Sequence, residues 1–343
     1  MAPVRSFVAL VRTLGRPTLA AALLLLTRPE LFASCGSAMC PMDPQSLNVP
    51  LPRQFTLDFS FQYIDQNNVR IGRREGAVGE IRSSHDEVQT LNRAAGFLLN
   101  YATSDALVLS AFVPFVSRYH EHLEETHPSG SVSPAKAFHD TRETWRFDDL
   151  GDVLVTGRYR LAPMLWATAG VELPTGKRRP MNAEGETAEP TLAPGSGSID
   201  ALGGLVFQTQ LPVRSLSRGI LGNAAVMPFF AGATYRRNGR GTEDYRQGDE
   251  LLVNAGVLYP LFTKLQVIAQ VNADFRGKDD VGNTDEDRNH TGRSSVYVSP
   301  GVRIGLPGGI AAYWVVQIPV YQRVNGIQLT SDYNLLGGVQ ARF

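Results

Sequence analysis

Apolar and polar residues alternate along most of the chain from Gln54 onward. In the first such segment every second residue from Phe55 to Tyr63 is aromatic or apolar, and the residues between them are polar. The side chains of a β-strand point alternately to its two faces, so each segment has one apolar and one polar face. The same pattern recurs in residues 264–276 and 332–343. It predicts an all-β fold whose strands each turn one face to an apolar medium.

The lengths of the strands and of their connections indicate which all-β fold this is. The alternating segments are roughly ten to thirteen residues long, as a tilted strand needs to cross a bilayer, whereas soluble strands are about half that length. Short and long connections follow each other in turn. Tight turns are predicted at Thr103–Asp105, Leu161–Pro163, Pro260–Lys264 and Leu306–Gly309, with a longer one at Leu211–Gly222. Long polar connections are predicted at Asn67–Ser84, Arg118–Arg146, Gly176–Gly195, Arg236–Gln247, Gly277–Gly292 and Arg323–Ser331.

These features predict a transmembrane antiparallel β-barrel of about twelve strands over residues 54–343, with short periplasmic turns and long extracellular loops. In hydrocarbon every backbone N–H and C=O needs a partner, so the sheet must close on itself. We therefore expect the strand that ends at Phe343 to pair with the strand 54–66. A terminal phenylalanine after apolar residues at every second position is also typical of the signal read by the barrel-assembly machinery. The expected location is the bacterial outer membrane, with its lipid and lipopolysaccharide as partners.

The N-terminal residues precede the barrel and have a different character. Arginines 5, 12 and 16 come before the apolar stretch Leu19–Leu26, which is too short to span a bilayer, so residues 1–34 are predicted to be a signal peptide. Residues 35–53 would then form a periplasmic segment that carries Cys35 and Cys40. An oxidising compartment favours a disulfide between them. The alternatives are a lipidated Cys35 and a metal or haem attachment point, although no CxxCH is present.

The polar faces of the strands carry both signs of charge. Lys plus Arg and Asp plus Glu number 33 each, and this balance gives no reason to expect a nucleic-acid partner. If the apolar faces contact lipid, the following charged residues point into the lumen: Asp58, Asp152, Arg158, Arg160, Glu172, Asp200, Arg236, Glu250, Asp274, Arg276, Arg303 and Arg342. They either pair with each other and fill the barrel or supply the field of a selective pore. Barrels of about eight strands are filled and those of about sixteen hold an aqueous channel, so about twelve strands favours a narrow conduit.

The long connections contain candidate sites for other chemistry. Imidazoles and carboxylates suit Zn²⁺ or Cu²⁺, which makes His120, His122 and His127 candidate ligands, although a solvated surface loop is the preferred interpretation. Alternate oxygen ligands in 283–287 suit Ca²⁺, and a plain acidic loop is again preferred. His290 with Ser294 or Ser295 is the nearest approach to the nucleophile and base of an outer-membrane lipid hydrolase, but the spacing is wrong. The chain is therefore not expected to be an enzyme or to need a cofactor.

Three motifs resemble a family of outer-membrane barrels associated with phenol and toluene degradation, the MetA-pathway-type transporters. They are Leu150-Gly151-Asp152-Val153 with Tyr159-Arg160-Leu161, then ELPTGK at 172–177, then GSGSID at 195–200. In that family "GLGD…KYRL", "LPTGK" and "GTGS.D" follow one another in this order. The resemblance is close over residues 148–210 and elsewhere rests on the barrel layout. It implies uptake of a small, often hydrophobic or aromatic molecule; a structural, adhesive or metal-responsive barrel with a filled lumen is the alternative.

Overall fold

A computed structural model describes residues 53–81, 85–125, 140–213, 225–284 and 286–343. The predicted signal peptide 1–34 and the segment with Cys35 and Cys40 lie outside these ranges, so the disulfide and the lipidated cysteine stay predictions. No helix among the described residues is long and apolar enough to cross a membrane.

Sixteen strands and three short 3₁₀ turns make up the regular structure of the described residues. The strands are β1 (Phe55–Gln66), β2 (Asn68–Ile71), β3 (Arg74–Glu75), β4 (His85–Ala102), β5 (Leu107–Glu125), β6 (Asp140–Leu150), β7 (Val153–Ala162), β8 (Leu165–Leu173), β9 (Asp200–Val213), β10 (Ala225–Arg237), β11 (Glu250–Pro260), β12 (Leu265–Arg276), β13 (Arg293–Gly305), β14 (Ile310–Val324), β15 (Ile327–Thr330) and β16 (Asn334–Arg342). The 3₁₀ turns are Thr242–Asp244, Arg288–His290 and Pro307–Gly309.

The strands form a closed antiparallel barrel. Sequential neighbours pair around the ring, β1 pairs with both β4 and β16, and β4 pairs with β5. At the closing seam the N–H of Phe343 donates to the carbonyl of Phe55 at 3.0 Å, and the N–H of Phe55 donates back at 3.2 Å. Closure leaves no sheet edge in the hydrocarbon. In the part of the chain that the structure describes, twelve strand positions make up the wall, as predicted.

One of these twelve positions is shared by two strands. β6 pairs with the extracellular half of β5, and β7 pairs with its periplasmic half. The break between β6 and β7 falls at Gly151 and Asp152. The N–H of Gly151 donates to the carbonyl of Pro114 at 2.9 Å, which spans the interruption. Pro114 has no backbone N–H to donate to a neighbouring strand. The partner of β5 therefore changes from β7 to β6 at a residue that lacks a donor. β2, β3 and β15 form a small separate sheet that continues β1 and β16 outward.

The alternation in the sequence corresponds to the two faces of the wall. On β1 the side chain of Asp58 is 1% exposed, whereas that of its neighbour Phe59 is 42% exposed. Exposed apolar residues continue around the ring on the same face, as in Phe97, Val271 and Trp314. A contiguous apolar belt of this kind is stable only against lipid. The fold and the belt place the chain in a bacterial outer membrane.

The short turns are confirmed, and one of the long connections differs from the prediction. β4 and β5 are joined at residues 103–106, β7 and β8 at 163–164, β11 and β12 at 261–264, and β13 and β14 at 306–309. The predicted loop Arg118–Arg146 is wrong in its bounds, because β5 continues to Glu125 and β6 begins at Asp140. Above the bilayer both faces of a strand are allowed to be polar, so the alternation that marks a strand disappears there. We call residues 85–92 of β4, 118–125 of β5 and 140–147 of β6 the wall extension.

Candidate functional site

The inward-facing side chains of the barrel change in character from the outer end to the periplasmic end. β12 shows the whole sequence of layers. From its outer end, its inward-facing residues are Arg276, Asp274, Asn272, Gln270, Ile268 and Gln266. The order is charged, polar, apolar and polar again. Along β12 the lumen therefore has a charged outer layer, a polar middle, an apolar layer and a polar periplasmic end.

The outer layer consists of paired charges. Arg236 Nη1 lies 3.0 Å from Glu172 Oε2 across β10 and β8, and Arg293 Nε lies 2.9 Å from Asp274 Oδ2. Arg276 donates to the side-chain oxygen of Gln247 at 2.8 Å. Arg236 therefore forms an ion pair with Glu172, and Asp274 forms one with Arg293.

The polar middle is a hydrogen-bonded network of uncharged side chains. Asn272 donates to Asn254 at 2.7 Å and accepts from Ser299 Oγ at 2.6 Å. Asn334 donates to Gln317 at 3.1 Å. The charge-based analysis of the sequence missed this network, because uncharged amides were not counted among the lumen residues.

An apolar layer lies below the polar middle. Leu258 pairs with Ile268 between β11 and β12, and Val315 pairs with Leu336 between β14 and β16. Phe230 and Ile64 belong to the same cluster. These side chains are 0–2% exposed, so they contact one another rather than water. In this conformation the layer is closed to water.

Glycines make room for the large side chains of this layer. A Cβ on Gly256 would lie 2.9 Å from Phe230 Cζ and 3.0 Å from the carbonyl oxygen of Ala269. A Cβ on Gly301 would lie 2.8 Å from a methyl group of Val315. Large side chains thus lie flat against bare backbone on the neighbouring strand. The sequence analysis missed the layer because Leu258 and Ile268 stand in stretches with apolar residues on both faces; the facing glycines were the signal that was available.

Two groups of predicted charges lie at the periplasmic end. Tyr313 Oη donates to Asp58 Oδ1 at 2.8 Å, and Arg303 donates to Gln266 at 3.1 Å and to Gln340 at 3.4 Å. On the opposite side of the ring, Arg158 and Arg160 lie over the ring of Trp166, with Cζ to centroid distances of 5.5 and 5.6 Å. Arg342 follows Gln340 on the inner face of β16.

Asp152 and Asp200 lie at the outer rim, where each binds the backbone of a loop. Asp152 accepts from the N–H of Gly176 at 2.9 Å, and from the N–H and Oγ of Ser196 at 2.7 and 2.8 Å. Asp200 accepts from the N–H of Gly239 at 2.8 Å and from Ser198 Oγ at 2.6 Å. Both carboxylates are therefore held by loop donors. Whether they, or the other predicted lumen charges, select a permeant stays a prediction.

The loop between β8 and β9 turns back against the inner face of the wall extension. Leu192 packs with Trp145 and Phe147, and Trp145 Nε1 donates to the carbonyl of Glu186 at 3.3 Å. Arg118 binds the same stretch by donating to the carbonyls of Thr191 and Leu192, and its Nε donates to Asn92 at 2.6 Å. We call residues 186–193 the plug segment. Sequence reasoning did not find its partner Arg118, which it had assigned to a loop.

The loop between β12 and β13 packs against the loop that precedes β11. Tyr245 Oη donates to Asp279, and the other oxygen of Asp279 accepts from the N–H of Gly248 at 2.7 Å. Burial, with the nearby carboxylates of Asp279 and Glu286, raises the pKa of Tyr245 well above its ordinary value. A small polar cavity of about 10 Å³ lies between this tyrosine, Asp200 and Pro190. That is room for a single water molecule.

The histidines predicted as metal ligands are buried in the wall extension. His120 and His122 share a face of β5, as predicted, with ring centroids 5.5 Å apart. His120 Nδ1 is hydrogen-bonded to Thr90 at 2.8 Å, and His122 Nε2 lies 3.3 Å from Glu143. His127 lies outside the described residues. Within those residues no group of three or more His, Cys, Asp and Glu side chains is arranged to hold a metal.

Of the two candidate lipid-hydrolase serines, Ser295 has other surroundings than that chemistry needs. Ser295 points inward and is buried, so it does not face lipid. His290 Nε2 lies 3.8 Å from Asp287, and its ring lies beside Gly326. A hydrolase of this kind requires a serine at the lipid face within reach of its base.

Comparison with known proteins shows similarity in fold. No protein-family model matches the chain, and no curated protein does. An outer membrane channel from Pseudomonas putida F1 superposes with a TM-score of 0.56 at 12% identity, over 88% of this chain and 100% of that one. The fold is that of an outer-membrane β-barrel.

Two further solved structures are similar at lower scores. A Pseudomonas aeruginosa FadL homologue has a TM-score of 0.42 at 12% identity, over 92% of this chain and 98% of that one. The Ralstonia pickettii toluene transporter TbuX has a TM-score of 0.42 at 10% identity, over 90% of this chain and 97% of that one. Scores at this level carry no argument about function, and the predicted membership of the phenol and toluene family stays a prediction.

Proposed function

We propose that the chain is an outer-membrane channel for a small, weakly polar or aromatic molecule, which crosses through the lumen. The observation that supports this most directly is the apolar layer formed by Leu258, Ile268, Val315 and Leu336 inside the wall. A general aqueous pore needs a polar lining throughout, whereas an apolar constriction excludes ions by dewetting and admits apolar solutes. The sequence motifs that resemble the phenol and toluene family point to the same class of permeant.

The layered lumen gives each layer a part in this proposal. The charged outer layer contains two ion pairs, Arg236 with Glu172 and Arg293 with Asp274, so it presents paired charges to an incoming molecule. The amide network below it offers hydrogen bonds, and the apolar layer then accepts a permeant that has shed its water. Because the layer is closed in this conformation, passage requires the side chains of Phe230 and Leu258 to change rotamer. Rotamer changes in apolar clusters are far easier than separation of buried ion pairs.

A filled structural barrel is the second candidate, and the burial of the inward-facing side chains favours it. Asp58, Ile268 and Leu336 are 0–2% exposed, which leaves no water-wide path at their level. The two candidates differ in what happens when the apolar layer is thinned. A conduit would widen, whereas a filled barrel would lose stability without gaining a path.

The test is a widened variant, Leu258→Ala with Ile268→Ala, compared with Val253→Ala plus Val271→Ala on the lipid face of the same two strands. We expect the inner pair to increase ion conductance in planar bilayers and the uptake of radiolabelled toluene by Gram-negative cells, at least several-fold. The outer pair should leave both unchanged, because its side chains are 37% and 49% exposed toward lipid. Equal conductance and uptake in native protein, inner pair and outer pair would exclude the conduit.

A further inference from the structure

An aromatic and a basic side chain follow one another where the apolar belt ends on β14. The exposed Val320 is followed by Tyr321 and then by Arg323, which is also exposed. Arg323 pairs with Ser294 on β13, the neighbour of the inward-facing Ser295. Arg323 therefore points away from the lumen, and so does Tyr321, two residues before it. The order apolar, tyrosine, arginine matches hydrocarbon, interface and headgroups in a membrane.

A second arginine reaches the same tyrosine from the small outer sheet. Arg73 lies in the turn between β2 and β3, and its Cζ is 5.1 Å from the centroid of the Tyr321 ring. The carbonyl of Arg73 accepts from Arg70 Nη1 at 3.0 Å, which holds the turn. A guanidinium over an aromatic face is oriented while its N–H groups still point outward at its edge. Residues two apart on a strand are separated by about 7 Å, so one anionic group beside Tyr321 is within reach of both Arg73 and Arg323.

The two arginines have no acidic partner among the residues that the structure describes. Glu80 forms its ion pair with Arg74 on β3. Glu75 on β3 and Asp332 before β16 are the other carboxylates of the adjoining segments, and neither forms an ion pair with the two guanidinium groups. Both positive charges therefore face outward for a ligand that the chain does not itself supply.

Another arginine and tyrosine at the outer edge lie in balanced surroundings. On the wall extension, Arg146 Cζ is 5.4 Å from the ring centroid of Tyr119. Tyr119 Oη donates to Glu121 at 2.6 Å, and Glu121 forms an ion pair with Arg142 at 3.0 Å. Asp148 is exposed on the same face of β6, two residues from Arg146. Acidic side chains thus accompany both of these arginines, in contrast to the pair beside β14.

We propose that Arg73 and Arg323 bind a phosphate group of lipopolysaccharide, the phosphorylated glycolipid of the outer leaflet, beside the ring of Tyr321. Arginine binds phosphate through paired, charge-assisted hydrogen bonds. The phosphates of lipid A lie where its acyl chains meet its sugars, which is the level at which the apolar belt ends on β14. At the periplasmic edge Tyr101 stacks instead on Phe55, with ring centroids 4.4 Å apart. The site is on the outside of the wall, so it does not depend on passage through the lumen.

The test measures binding of lipid A to the full-length protein in detergent micelles by native mass spectrometry. Lipid A with its phosphates is compared with the same lipid after dephosphorylation. We expect the phosphorylated form to bind the native protein several-fold more tightly. Arg73→Gln with Arg323→Gln should weaken that binding by about tenfold, because the charge-assisted hydrogen bonds to phosphate are lost. The weak binding of the dephosphorylated form should be the same in native protein and variant.

The matched control removes the same amount of charge elsewhere on the outer edge. Arg142→Gln with Arg146→Gln takes two exposed arginines from β6, and binding of lipid A should stay at the native level. All four side chains are exposed, so both double variants should fold, which circular dichroism checks. Equal affinity of the native protein and the first variant for lipid A overturns the proposal. An equal loss in the control variant also overturns it, because the effect would then be one of total surface charge.

An anionic phospholipid is the competing ligand for the same arginines. Native protein is loaded with lipid A and mixed with an equal concentration of phosphatidylglycerol. We expect lipid A to remain bound, because it presents phosphate on a rigid sugar at the level of the site. If phosphatidylglycerol replaces it in proportion to concentration, the arginines recognise any lipid phosphate and the proposal fails.

Discussion

The barrel carries two apolar surfaces, the outer belt and the inner layer, and they are built under different constraints. Leu335 and Leu336 are neighbours on β16 whose side chains point to lipid and to lumen respectively. Lipid chains fill any gap that a lost side chain leaves on the outside. The inner layer is packed against fixed side chains and bare glycine backbone, so a gap there stays open. Residues of one type therefore contribute differently on the two faces.

The largest expected effect comes from truncating one leucine on each face. Leu336→Ala removes a fully buried side chain and leaves a cavity, so we expect a loss of about 3–4 kcal/mol in the free energy of unfolding. Leu335→Ala should lower the free energy of unfolding only by the free energy of transferring the lost side-chain atoms into lipid, about 2 kcal/mol. Urea unfolding of both variants in lipid vesicles measures the difference. Equal losses of unfolding free energy in the two variants would show that the side chains of the inner layer rearrange to fill a cavity as lipid chains do.

A smaller effect is expected from adding a methyl group inside. In Gly256→Ala the new Cβ would lie within 3.0 Å of both Phe230 Cζ and the carbonyl oxygen of Ala269. Overpacking of this kind costs about 1–3 kcal/mol. The same unfolding assay should show partial recovery in the double variant with Phe230→Leu, because the shorter side chain vacates the contact. No recovery would assign the loss to the carbonyl of Ala269 or to the side chain of Gln270, whose Cγ would lie 2.6 Å from the new Cβ.

The smallest effect is expected from the same change on the lipid face. Gly337 lies beneath the ring of Trp314, and a Cβ there would lie 2.7 Å from Trp314 Cζ3. The indole is 48% exposed, so it can tilt into lipid, and Gly337→Ala should cost less than about 1 kcal/mol. Tryptophan fluorescence should shift while the free energy of unfolding changes little. A loss as large as that of Gly256→Ala would mean that the outer wall is as rigid as the inner one.

The two apolar surfaces also differ in how far the sequence predicts them. The belt follows from alternation, since Phe59 and Phe61 stand between Asp58, Ser60 and Gln62. The barrel, its short turns and the pairing at Phe343 follow from that contrast together with the lengths of the connections. The inner apolar layer cannot be predicted in this way. Ile268 is flanked by Val267 and Ala269, so no difference in polarity between neighbours shows which face its side chain is on.

The loops were beyond sequence reasoning for a different reason. Asp152 lies at the outer rim, and its partners Gly176 and Ser196 are brought to it by a loop whose path depends on tertiary packing. The plug segment likewise meets Arg118 and Trp145, which lie far from it in the chain. Patterns within a single strand carry no information about such meetings.

The interruption between β6 and β7 leaves part of one strand edge without a neighbouring strand, which matters for aggregation during assembly. In the part of the chain that the structure describes, β5 is the only strand that pairs with β6, and on its other side Leu150 accepts from the N–H of Lys177 at 3.0 Å. The rest of that side is a strand edge that could recruit a strand from another molecule. Its sequence, DTRETWRFDDL, sets acidic and basic side chains along that edge. Charged side chains on an exposed edge strand disfavour its pairing with another chain. The polarity that hid β6 from sequence analysis thus guards an outward-facing edge against aggregation during assembly.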